Sequence, residues 1–156
     1  MAIDKVRAYF EAFGMAGRIL EFDAGTATVA EAAAAVGCAG QRIAKTLSFR
    51  LAGGCALIVA AGDAKVDNAK YKARFGVKAT MLSPDEAIAM TGHAIGGVCP
   101  FAIPESVPVH LDVSLKRFRT VFVACGSANS VIEMTIPELE RYSNTAGWVD
   151  VCKAWQ

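Results

Sequence analysis

The sequence predicts an α+β fold with a mixed, curved β-sheet flanked by helices. Three observations point there. Strand-like and helix-like segments follow one another without a regular βαβ order. An apolar hairpin, Ala44 to Leu51 and Cys55 to Ala60 around Ala52-Gly53-Gly54, requires an antiparallel pair within that sheet. Of 156 residues, 54% are apolar and 20% charged, enough for a core that needs neither disulfide nor metal. The length fits one domain, residues 1–156.

The elements follow from local signals. Val6 to Phe13 has helical spacing and stops at Gly14. Arg18 to Phe22 reads as a short strand. Thr28 caps a helix through Ala30 to Val36 that ends at Gly37. After the hairpin, Asp67 caps a helix from Asn68 to Phe75, closed by Gly76. Ser83-Pro84-Asp85-Glu86 is a capping box with proline at the first helical position, and that helix ends near Thr91-Gly92. Val107 to Leu111, Thr120 to Ala124 and Ser130 to Met134 read as strands. Thr135-Ile136-Pro137-Glu138 opens another helix by the same capping logic, and Trp148 to Cys152 reads as a final strand.

Composition excludes several functions. With 16 basic and 15 acidic residues the net charge is +1, so nucleic-acid binding requires a local patch. No apolar run reaches the roughly 18 residues of a membrane span, and charges at Asp4, Lys5 and Arg7 interrupt any signal-peptide core. A cytoplasmic protein without membrane contact is expected. The five cysteines, Cys38, Cys55, Cys99, Cys125 and Cys152, include no C-x-x-C pair and read as reduced thiols. The two histidines, His93 and His110, rule out a three-histidine metal site, and neither metal nor cofactor is expected.

Three segments carry possible chemistry. In Ile43-Ala44-Lys45-Thr46-Leu47-Ser48-Phe49, alternation puts Lys45 on the face shared by Ile43, Leu47 and Phe49. Such a lysine either lines a cavity as a phosphate or carboxylate anchor, or sits at a sheet margin with its ammonium in water. In Gly96-Gly97-Val98-Cys99-Pro100, paired glycines allow close backbone approach and let N–H groups face a carbonyl or oxyanion; an ordinary connecting loop is the other reading. Cys99 within it is placed to face the pocket. Finally, Lys65, Lys70, Lys72, Arg74 and Lys78 put five cations within 14 residues, Lys70 and Arg74 on one helical face. They suit a nucleic-acid backbone or a plain solvated helix.

At these residues the chain resembles the YbaK/prolyl-tRNA synthetase-associated editing-domain family. The similarity spans roughly Gln41 to Ser130, with weaker similarity on both sides. It rests on Gln41-Arg42-Ile43-Ala44-Lys45-Thr46-Leu47, Gly62-Asp63-Ala64-Lys65-Val66-Asp67, Thr91-Gly92-His93 with Gly96 to Pro100, and Leu111-Asp112-Val113-Ser114-Leu115. The resemblance implies a partly open barrel and hydrolysis of the ester of a wrongly charged tRNA. It implies that Lys45 holds the 3′-terminal nucleotide through phosphate and that Gly96, Gly97, Val98 and Cys99 hold the aminoacyl carbonyl. It also admits an aminoacyl-tRNA synthetase as partner. One stretch departs from the cysteine-specific branch: Ala124-Cys125-Gly126-Ser127-Ala128-Asn129-Ser130-Val131 lacks the basic turn, and Val131 replaces an acidic residue. That points to a small amino acid other than cysteine.

The expected mechanism places N–H groups of Gly97 to Cys99 on the tetrahedral oxyanion. The water would be activated by the free ribose hydroxyl or by the substrate; His93 and Asp112 are the candidate side-chain bases, a structural role being the favoured reading of both. The substrate-contacting set is Thr46, His93, Pro100, Asp112, Gly126 and Ser127, with Thr46 or Ser127 offering a polar contact. Lys65, Lys70, Lys72 and Arg74 would meet the acceptor end. Two other functions suit the same residues: a non-catalytic tRNA-binding or synthetase-associated module, and a small-molecule amino-acid ester hydrolase.

Overall fold

The computed structural model describes residues 2–155; Met1 and Gln156 lie outside the described residues. Helix α1 (Ala2–Glu11) buries one stripe, Ile3, Val6 and Phe10. It ends two residues before the expected Phe13, where turn bonds at Phe13 and Gly14 take over. Strand β1 (Ile19–Glu21) and helix α2 (Val29–Val36) follow, α2 capped by the Thr28 hydroxyl and closed at Gly37. The hairpin is β2 (Ile43–Leu51) and β3 (Gly54–Ala61). Next come β4 (Lys65–Val66), which the sequence did not signal, and α3 (Asn68–Phe75), where Asp67 accepts from two backbone N–H groups. Helix α4 (Pro84–Thr91) carries the reciprocal Ser83–Glu86 capping box. Strand β5 (Val109–Asp112) starts later than expected, because Val107 donates to Pro104 in a turn and Pro108 has no N–H. Strands β6 (Thr120–Ala124) and β7 (Ser130–Thr135) lead into α5 (Ile136–Tyr142), again with a capping box.

The expected final strand is two strands, β8 (Gly147–Val149) and β9 (Cys152–Lys153), in different sheets. Asp112 explains the break: it accepts from the Val151 N–H, pulling the chain out of the ladder between them. The large sheet runs β1-β7-β6-β2-β3-β5-β8 and does not close, and β4 pairs with β9 separately. Pairing is mixed, antiparallel within the hairpin and between β6 and β7, parallel for β2 with β6, β3 with β5 and β5 with β8. The expected α+β class with a mixed, open sheet is the observed one.

Two apolar clusters form the interior. The larger surrounds β3, whose residues from Cys55 to Ala61 are all buried. A smaller one joins Ala32 of α2 to Ile43, Phe122 and Val131 of the sheet. The face expected to unite Ile43, Leu47 and Phe49 is therefore divided: Ile43 packs in the small cluster, Phe49 in the large one. A cavity lies at this division.

Candidate active site

The cavity, about 260 Å³, opens where the pairing of β2 with β6 stops after Ala44. That is smaller than the roughly 300–1,000 Å³ of drug-sized pockets, so it suits a small group. Its floor is the small cluster, Ala32, Ile43, Phe122 and Val131; its walls include Lys45, Thr46, Ile95, Gly96 and Val98. The lysine of β2 and the glycine loop thus share one hollow. Met81 and Ile95 form an apolar lip, each about half exposed (51% and 53%).

The glycine loop is shaped by its backbone. Gly97 N–H donates to Ala94 O at 2.9 Å, closing a four-residue turn with Gly96 third at φ +97°, a position that requires glycine. The Gly97 N–H is therefore unavailable to substrate, contrary to expectation. Among the described residues, the N–H groups of Gly96 and Val98 donate to nothing, and both residues line the cavity. Gly97 is buried against the next turn: a Cβ there would lie 2.8 Å from Gly126 C and Ser127 N. Gly126 and Ser127, expected to touch substrate, are not among the cavity-lining residues and instead support two segments that are. Ser127 Oγ bonds Ser130 Oγ (2.6 Å) and Asn129 Oδ1 (2.9 Å), Asn129 Nδ2 donates to Phe22 O, and Thr26 N–H donates to Ala128 O. The turn thereby carries both the glycine loop and the Thr26–Val29 segment, which sequence reasoning missed as a cavity wall.

Lys45 is half-buried, and its ammonium donates to the carbonyls of Gly62 (3.4 Å) and Ala64. Burial lowers its pKa from the usual lysine range. This ties β2 to the Gly62-Asp63-Ala64 turn, where Asp63 is clamped by Arg117 at 2.6 and 2.9 Å. The turn also touches the Gly40–Arg42 segment, since a Cβ on Gly62 would fall 2.1 Å from Gly40 O. Thr46 lines the cavity, and its hydroxyl is buried without a hydrogen-bond partner, as is that of Thr26.

The remaining expected residues lie elsewhere. His93 is fully buried; its Nε2 meets Phe101 O at 2.9 Å, tying the ends of the glycine loop, and burial lowers its pKa. Cys99 is fully buried beside His93 Nε2 at 3.5 Å, and burial pushes its thiol up to about 12, so it neither faces the cavity nor forms a thiolate. Asp112 is fully buried, capping the turn at Ser114 and holding Val151. Pro100 lines a separate hollow with Tyr9 and Tyr142. The cavity lining includes none of these four residues, and His93 Nδ1 is buried without a hydrogen-bond partner. Lys65, Lys72 and Arg74 are exposed, whereas Lys70 is held by Asp150 (3.1 Å) and Cys152 O (3.0 Å). Among the described residues no cluster of three His, Cys, Asp or Glu could hold a metal, and no helix is long and apolar enough to cross a membrane.

Residues 23–142 match the family model of the aminoacyl-tRNA editing domain. The chain belongs to that family. The match runs past Gln41 and Ser130 into the flanks, where weaker similarity was expected, and takes in the Thr26–Val29 wall. A Bacillus subtilis (strain 168) protein, the uncharacterised YwhH, is 52% identical over 157 residues, covering all of both chains. A crystal structure of a proposed trans-editing enzyme for prolyl-tRNA synthetase has a TM-score of 0.87 at 29% identity, with 97% of each chain covered. The hypothetical protein APE2540 has a TM-score of 0.84 at 31% identity, over 96% of this chain and 99% of that one.

Proposed function

We propose that this editing-family protein is a free-standing deacylase that hydrolyses the ester of a tRNA mischarged with a small amino acid. The observation that carries the reading is the shared hollow: Lys45 and the Gly96–Val98 loop line one small cavity. An amino acid fits inside, and the terminal ribose sits at the mouth. The Val98 N–H, with that of Gly96, is free to bind the carbonyl oxygen as it gains charge. One such donor is worth roughly 2.7–4 kcal/mol in a dry site. Water adds to the acyl carbon, the ester C–O bond breaks, and the ribose oxygen leaves with a proton. Among the described residues no carboxylate or histidine lines the cavity, so the neighbouring ribose hydroxyl is the group placed to orient the water.

Lys45 presents a cation to the terminal nucleotide's phosphate, exchanging a carbonyl partner for it. Lys65 and Lys153, opposite each other across β4 and β9, continue the cationic surface beside Ala64, with Lys72 and Arg74 on α3. These would receive acceptor-end phosphates in a cytoplasmic setting. The alternative of a small-ester hydrolase leaves these cations without a role.

The test is Lys45→Ala, assayed on mischarged tRNA beside its thermal melt. A folded variant that has lost at least 100-fold in deacylation supports the assignment. A folded variant that cleaves at the wild-type rate refutes it.

A further inference from the structure

The cavity meets the edge of β2 rather than one of its faces. Ile43 through Ser48, odd and even positions alike, line it, whereas a hollow on a sheet face touches every second residue. Hydrogen bonding fixes what that edge offers. Across the hairpin, Leu57 (opposite Ser48) donates its N–H to Pro108 O, and Ala61 (opposite Ala44) donates to Ser114 Oγ. The even-numbered pairs therefore exchange no bonds within the hairpin, and the even-numbered peptide groups of β2 point away from β3.

Both ends of that outward row have partners. Pairing with β6 reaches Ala44, opposite Val123, and stops there. Leu82 N–H donates to Ser48 O, and Arg50 N–H donates to Thr80 O. Thr46 lies between the two, so its N–H and C=O open onto the cavity. Independently, the hydroxyls of Thr46 and Thr26 are buried without partners, and Thr26 is only 6% exposed. Unsatisfied polar groups in an otherwise apolar hollow mark a place completed by a ligand.

We infer that the aminoacyl group docks on Thr46 as a strand one residue long. The Thr46 N–H donates to the acyl carbonyl oxygen, and the substrate's α-ammonium donates to Thr46 C=O. This is the double exchange of a hydrogen-bonded antiparallel pair. The gap is a single residue wide, bounded by β6 and Leu82, so it takes an amino acid and not a peptide. The docking rests on the editing function proposed above and adds a donor from a rigid strand to the carbonyl held by the glycine loop. It also makes the free α-amino group a recognised feature of the substrate.

The experiment measures amide hydrogen exchange in the full chain with and without a saturating non-hydrolysable probe, adenosine carrying alanine in 3′-amide linkage. The Thr46 amide is expected to slow at least 10-fold. A probe that perturbs Val98 but leaves Thr46 unchanged overturns this docking while the editing function stands. A probe that perturbs neither overturns both. As a second readout, propionyl-tRNA, which lacks the amino group, should show at least a 10-fold smaller acceleration over its own spontaneous hydrolysis than alanyl-tRNA. Equal acceleration of the two contradicts the ammonium contact.

Discussion

Gly97→Ala isolates the packing of the glycine loop on its supporting turn. A Cβ at this position would sit 2.8 Å from Gly126 C, 2.8 Å from Ser127 N and 3.0 Å from Ser127 Cα. All three are backbone atoms, so no rotamer change relieves the contact and one of the two turns must move. Overpacking of this kind costs about 1–3 kcal/mol. Any Gly→Ala change also restricts the unfolded chain, which stabilises by about 0.4–1 kcal/mol. The proper control is therefore Gly54→Ala, where a Cβ meets nothing within 4 Å. Both variants share the unfolded-state gain, so their difference reports the clash: about 1–3 kcal/mol, or a gap of about 2–12 °C in Tm. The displaced loop carries Ile95, Gly96 and Val98 on the cavity wall. A shift near 1 Å there is expected to lower deacylation by about 100-fold. Denaturant melts and deacylation rates of the two variants, run side by side, provide the check. Equal stability and equal rates would refute the packing of Gly97 on Gly126-Ser127.

Two further outcomes follow from the burial and charge of single groups. Native protein treated with iodoacetamide at pH 8 should alkylate Cys38, the one partly exposed cysteine, and leave Cys99 unmodified with activity retained; inactivation that tracks modification of Cys99 would contradict its structural assignment. The Arg18 guanidinium holds Glu138 down to about 2, and the group stabilises only while ionised. Its contribution is present above about pH 4.5 and is lost as pH falls towards 2. Because both side chains are partly exposed, Glu138→Gln should cost only about 0.5–1 kcal/mol at pH 7 and nothing near pH 2. A difference from wild type that persists at pH 2 would show that the charge is not responsible.

Much of the fold was legible because its punctuation is local. Thr28, Asp67, Ser83 and Thr135 cap the helices they were expected to start, and Gly37, Gly76 and Gly92 close three of them. The C-terminal strands were misread because a buried side chain, Asp112, takes the Val151 N–H from a distant part of the sequence. Within the site, Lys45, Thr46, Gly96 and Val98 were legible from alternation, glycine spacing and family resemblance. Thr26, Met81, Phe122 and Val131 were not. They are uncharged and come from four separate segments that meet only in the folded sheet. His93, Cys99 and Asp112 show the converse. Their chemistry invites a catalytic role, but each is buried away from the cavity. The one available signal for the Thr26–Val29 wall was the cap at Thr28, which marks where a chain turns into a helix beside the sheet.

The most direct measurement incubates the purified protein with a panel of tRNAs, each esterified with a different amino acid, and follows the release of each. Hydrolysis confined to one or a few small residues, with large ones untouched, is the predicted pattern for a cavity of about 260 Å³. Retention of every ester, or cleavage indifferent to side-chain size, would contradict an editing site in that cavity.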